Sequence, residues 1–159
     1  MNAVAILTYG QRAILDSVAA LTEAQWDTPG VCGVWSAREV IAHLTSYEWV
    51  LLDALTEVVG GGPTLHLDTF RQAGPTFNQA QVEARRDQSA TDAVAELTAA
   101  HTQALDALLR VPAATLRQPG TLPWYGAEYA VDDLIVYTAY GHKREHSAQI
   151  AVYGDRLAR

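Results

Sequence analysis

The chain has 159 residues, enough for one domain with one sizeable core, and its 49% apolar and 18% charged residues are those of an ordinary soluble globular protein. A net charge of -7 gives no basic footprint for a phosphate backbone, which argues against nucleic acid as a partner. The most apolar run, "YEWVLLDALTEVV", is broken by Glu48, Asp53 and Glu57, and "MNAVAILTYGQRAIL" lacks a signal-peptide pattern, so the chain is expected in the cytoplasm and not across a membrane.

The apolar spacing is helical nearly everywhere, with no sustained alternation of period two. Residues 2–21 form the first pattern, through Val4, Leu7, Ile14, Leu15, Val18 and Leu21. A loop, "TEAQWDTPGVCGVW", follows; its Cys32 is the only cysteine, so no internal disulfide is possible. The second helix opens on "SARE", where Ser36 as N-cap and Glu39 three residues on make a capping box. Val40, His43, Leu44, Tyr47, Leu51, Leu55 and Val58 are its inner stripe, and "GGGP" at 60–63 ends it.

Residues 61–88 have no clear period and contain Pro63 and Pro75, which predicts a long loop with a helical piece near Asn78–Arg86. So long a connection is often functional. The third helix is predicted over 90–110, capped by Ser89 or Thr91, with Val94, Leu97, His101, Leu105 and Leu108 on one face. Another Pro- and Gly-rich loop, "VPAATLRQPGTLPWYGAEY", leads to a fourth helix over 131–157. Its inward side carries Leu134, Ile135, Thr138, His142, His146, Gln149, Ile150 and Tyr153, and Lys143 and Arg144 are placed outward. Four amphipathic helices of this length, each about 30 Å long, predict an all-α fold: a four-helix bundle in a single domain, 1–159, with long loops after helices 2 and 3.

The histidines carry the chemistry. His142 and His146 stand four residues apart on one helical face, which lets both imidazoles reach one ion at about 2.0–2.1 Å. Alone, that spacing also describes two histidines packed on an apolar stripe. His43 adds a third inward imidazole on a second helix, and buried neutral histidines without partners cost free energy, so shared coordination is the better account. His101, on the inner face of the third helix, reads as a packed histidine, with a fourth ligand or a substrate contact as the alternatives. His66 reads as a solvated loop residue.

"GVWSAREVIAHL" (33–44) resembles the signature of the DinB/YfiT-like metalloproteins, in which a Trp-Ser pair opens the second helix and a histidine follows. "GHKREHSAQI" (141–150) is similar to their fourth-helix motif, and "TFNQAQVEARRDQS" (76–89) to the middle segment of one branch. The resemblance implies an up-down-down-up four-helix bundle, often a homodimer, with a nickel or zinc ion on three histidines. The matching positions are His43, His142 and His146. Relatives with this triad include a mycothiol-dependent maleylpyruvate isomerase and bacillithiol S-transferases.

Three neutral imidazoles leave a divalent ion its charge and open positions, suited to activating water, polarising a carbonyl or holding a thiolate. Cys32 lies outside both histidine motifs, so a thiol nucleophile would come from a low-molecular-weight co-substrate. The expected function is a metal-dependent transferase or isomerase acting on a small molecule; the alternative is a non-catalytic, stress-related binder of metal or small ligands. Tyr47, Asn78 and Trp124 are the expected substrate contacts, and packing or capping roles compete with each. Trp35 reads as a core or rim aromatic, with ligand stacking as the alternative. Glu145 reads as an exposed charge or as an acceptor for an imidazole N–H. Metal binding is expected to weaken as pH falls through roughly 6.

Overall fold

A computed structural model describes residues 2–157. Among the described residues there is no strand, only helices, turns and one isolated bridge between Cys32 and Trp35. None of their helices is long and apolar enough to cross a membrane.

The four long predicted helices are present. α1 (Ala3–Val18) is followed by a short α2 (Glu23–Asp27) inside the predicted loop. Thr22 N–H donates to Gln25 Oε1 at 2.8 Å there, and Trp26 is buried. α3 (Ala37–Val58) starts at the predicted capping box: Ser36 N–H donates to Glu39 Oε2 at 2.8 Å, and Glu39 N–H to Ser36 Oγ at 3.3 Å. α6 (Ala90–Leu108) is capped by Ser89, whose Oγ accepts from Asp92 N–H. In α1 the predicted stripe is narrower than expected, because Val4 is exposed.

The region 61–88 contains the expected helical piece, as α5, but is otherwise more ordered than the expected long loop. It folds as α4 (Leu65–Ala73), a 3-10 turn (Gly74–Thr76) and α5 (Phe77–Glu83). α4 has no local cap bond; Asp53 of α3 reaches across and accepts from the N–H groups of His66 (2.6 Å) and Leu67 (3.0 Å). That support comes from 13 and 14 residues away, which is why local spacing does not reveal it. Gly74 turns the chain with a φ of 51°. After α6, the next loop contains only the single turn α7 (Ala113–Leu116).

The last helix covers the predicted span in three pieces: α8 (Val131–Asp133), a π-helical segment (Leu134–Tyr140) and α9 (Gly141–Leu157). Asp133 accepts from Ala130 N–H at 2.8 Å at its start. Gly141 N–H reaches back to Val136 O across the wider turn, immediately before His142. Such π turns are often found at functional sites.

α3 packs most extensively on α6, and α1 on α9 and the π segment. The apolar core is in two clusters. One gathers Leu7, Leu51, Ala104 and Ile135; the other gathers Ile14, Leu44, Leu97 and Ile150. Between them lies a buried polar layer with one residue from each long helix: Gln11, Glu48, His101 and Lys143. Lys143 is therefore not on the outward side; it is 2% exposed and bonds to Glu48 Oε1 at 2.8 Å. Gly10 lets α1 come close here, since a Cβ on it would stand 3.2 Å from the Tyr140 ring and 3.6 Å from the Lys143 stem. Arg144 is exposed, as predicted.

Candidate metal centre

The capping box sets where α3 begins, and hence places His43 two turns inside it, facing α9. The π turn leads directly into His142 and His146. His43 Nε2 lies 2.8 Å from His142 Nε2, and His146 Nε2 lies 3.1 Å from the same atom. The three side chains offer one ligand atom each, all within 4.8 Å of one another. His43 and His146 are buried and His142 is partly so.

The outer nitrogens differ. His146 Nδ1–H donates to Gln149 Oε1 at 2.8 Å, which leaves the Nε2 lone pair pointing into the cluster. His43 Nδ1 is buried without a partner. Three imidazoles with facing Nε2 atoms gain nothing from one another unless a cation or proton sits between them. The donor set therefore fits a divalent ion, whose bonds to imidazole are about 2.0–2.1 Å.

Burial, and then His142 and His146, hold the His43 imidazole down at about 3. Burial, and then His146 and Lys143, hold His142 at about 4. Burial also lowers His146. All three are neutral near pH 7, the state a metal ligand needs.

Aromatic rings wall the cluster. Trp35 lies over His43 with ring centres 5.0 Å apart, and Tyr47 meets His142 edge-on at 4.7 Å. The Tyr47 hydroxyl donates to Asn78 Oδ1 at 3.1 Å, so α5 is tied to the site through this pair. Asn78 lies inside α5 and does not cap it. Trp124 is a step further out: it packs on Phe70 at 6.3 Å, and Phe70 in turn packs on Tyr47 at 5.8 Å. Arg71 covers the Trp124 ring at 5.2 Å. A small apolar cavity of about 10 Å³ lies beside Tyr47, Leu134 and Thr138, too small for a substrate as it stands.

His101 is not a fourth ligand here. Its Nδ1 faces Glu48 Oε2 at 2.9 Å, in the buried polar layer, and the three-histidine group is complete without it. Glu145 is exposed, and Gln149 takes the acceptor role weighed for it. His66 is exposed at the start of α4 and stacks on Trp49 with ring centres 5.3 Å apart. The i, i+3 spacing of His146 and Gln149 on one inward face was the available signal for the missed partner.

Fold and site together define an all-α bundle with a three-histidine cluster of the kind that can hold a metal ion. The chain belongs to the DinB superfamily, whose family model matches residues 6–150. Searches of curated proteins and of solved structures gave no significant match.

Proposed function

We propose that this DinB-superfamily chain holds a divalent ion, nickel or zinc, on His43, His142 and His146 and uses it to transform a small molecule. The observation that carries the reading is the convergence of three Nε2 atoms, with Gln149 orienting His146 from behind. Such an ion would supply Lewis acidity, or keep a bound thiol as its thiolate. The chain's own residues supply the surroundings. Trp35 and Tyr47 wall the cluster on two sides, and the Tyr47 hydroxyl, anchored by Asn78, is a hydrogen-bonding group beside His142.

Within this reading the reaction is a thiol transfer or an isomerisation with a low-molecular-weight thiol as co-substrate. Its support is the likeness of the two histidine motifs to triad-bearing relatives, and the position of Cys32, which is outside the cluster. A homodimer in the cytoplasm belongs to the same reading. The experiment is turnover of model electrophiles by tag-free protein with mycothiol, bacillithiol or glutathione, with and without Zn²⁺ or Ni²⁺. Metal-dependent turnover that vanishes in His142→Ala supports the enzyme.

A second reading, metal or ligand binding without catalysis, is favoured by the rings of Trp35 and Tyr47, which pack on His43 and His142 at 5.0 and 4.7 Å. Stoichiometric metal with no turnover under any thiol would select it.

A further inference from the structure

The buried polar layer plays no direct part in the cluster, yet it has an unusual make-up. Lys143 Nζ donates to Glu48 Oε1 at 2.8 Å and to Gln11 Oε1 at 2.8 Å. Glu48 Oε2 also accepts from His101 Nδ1 at 2.9 Å. Glu48 is 1% and Lys143 2% exposed. Charges so deeply buried are costly to desolvate, and apolar residues of similar volume often serve stability equally well. Stability alone therefore explains the layer poorly.

Its position suggests another role. The bundle is built from two well-packed pairs, α3 on α6 and α1 on α9. The histidine cluster spans the two pairs, because His43 is on α3 and His142 and His146 are on α9. Apolar contacts tolerate small rotations and slips of a helix, whereas metal ligation tolerates about 0.2 Å. Hydrogen bonds at 2.8 Å between fixed partners do not tolerate such slips, and a buried polar group can specify register in this way. Lys143 is the next residue after His142, and Glu48 lies on the helix of His43. The same two helices are thus joined twice, once by imidazoles and once by charge.

We propose that the Gln11–Glu48–His101–Lys143 layer sets the register of α9 against α3, so that Glu48 and Lys143 are positioning residues for the three-histidine site. The proposal rests on the metal reading above. It predicts that the layer matters to metal affinity and geometry even where it does not matter to stability.

The test compares full-length, tag-free wild type with the apolar-layer variant Gln11→Leu/Glu48→Met/His101→Leu/Lys143→Met, and with Glu48→Gln. Each is titrated with Zn²⁺ and with Co²⁺, whose visible spectrum reports coordination geometry, and each is melted without metal. Expected is an apolar-layer variant that melts no lower than wild type, yet binds Zn²⁺ at least tenfold more weakly and shows an altered Co²⁺ spectrum. Glu48→Gln should show the same spectral change in milder form, and it decides the question if the fourfold variant does not fold. Unchanged affinity and spectrum in the folded variants overturn the register claim alone. A wild type that takes up neither ion overturns the metal reading and the register claim with it.

Discussion

Gln149 Oε1 accepts the Nδ1 proton of His146 at 2.8 Å, three residues along the same helix. The bond fixes the imidazole tautomer with Nε2 turned toward His43 and His142. Loss of such an outer partner commonly costs 10–100-fold in metal affinity (a range for known metal sites, about 1.4–2.7 kcal/mol). Gln149→Leu should weaken Zn²⁺ binding by about tenfold and leave the metal-free melting temperature nearly unchanged. Competition with a chromophoric chelator measures it; wild-type affinity in the variant would remove Gln149 from the site.

Removing a ligand is a harsher test. His142 is the imidazole that both other Nε2 atoms approach, at 2.8 and 3.1 Å. His142→Ala should leave the purified chain without stoichiometric metal, as read by inductively coupled plasma mass spectrometry. Chelation of wild type should lower its melting temperature, and chelation of the variant should not. Full metal content in His142→Ala would contradict the cluster as a binding site.

The pH dependence has a definite sign. His43 and His142 are held at about 3 and about 4, chiefly by burial. In metal-free protein the unfolded chain takes up these protons near pH 6.5 and the folded chain does not. Folding stability is thus greatest above that value and falls as pH drops toward 4, by up to about 1.4 kcal/mol per pH unit for each imidazole. Urea titrations of chelated protein across this range check it, and a flat profile would contradict the burial of the triad. The same low values mean that protons compete for the ligands later than an ordinary histidine suggests. Metal should be retained through about pH 6 and lost nearer 4, instead of weakening at the histidine midpoint expected from sequence.

Breaking the buried ion pair from one side should be costly. Burial pushes the Glu48 carboxyl up, but Lys143 and His101 together outweigh it and keep the group below the usual carboxylate range. Lys143→Met leaves that carboxylate buried without its main partner, at a cost of about 3–5 kcal/mol. A urea midpoint shift at pH 7 measures it. A loss below about 1 kcal/mol would mean that water reaches the layer.

The cap of α3 is a smaller, local case. Ser36→Ala removes the acceptor for Glu39 N–H and should cost about 1 kcal/mol. Because the cap lies two turns before His43, metal content should stay near wild type. Thermal melting and metal analysis of one preparation read both.

Much of the fold was legible because helical periodicity and caps are local properties. The start of α3 at Ser36, the span of the last helix and the inward placement of His43, His142 and His146 all follow from residues within one or two turns of each other. α4 was not legible, because its first N–H groups are satisfied by Asp53 from another helix. Lys143 was misplaced for a related reason. Its charge suggests solvent, yet it lies four residues after Ala139 and seven before Ile150, on a core face. Gln11, Glu48 and His101 share that logic, each four residues after a buried leucine and three before another core residue (Leu7 and Ile14, Leu44 and Leu51, Leu97 and Ala104).

By itself, then, the sequence determined where the four long helices run, most of their apolar stripes, and that three imidazoles are available on two of those stripes. Spacing and capping act within a few residues, so they can be read along the chain. Which polar groups meet across the bundle was decided only by tertiary structure. The pairing of Lys143 with Glu48, of His101 with the same carboxylate, and of Tyr47 with Asn78 depends on which helices stand side by side, and residues far apart in the chain decide that together.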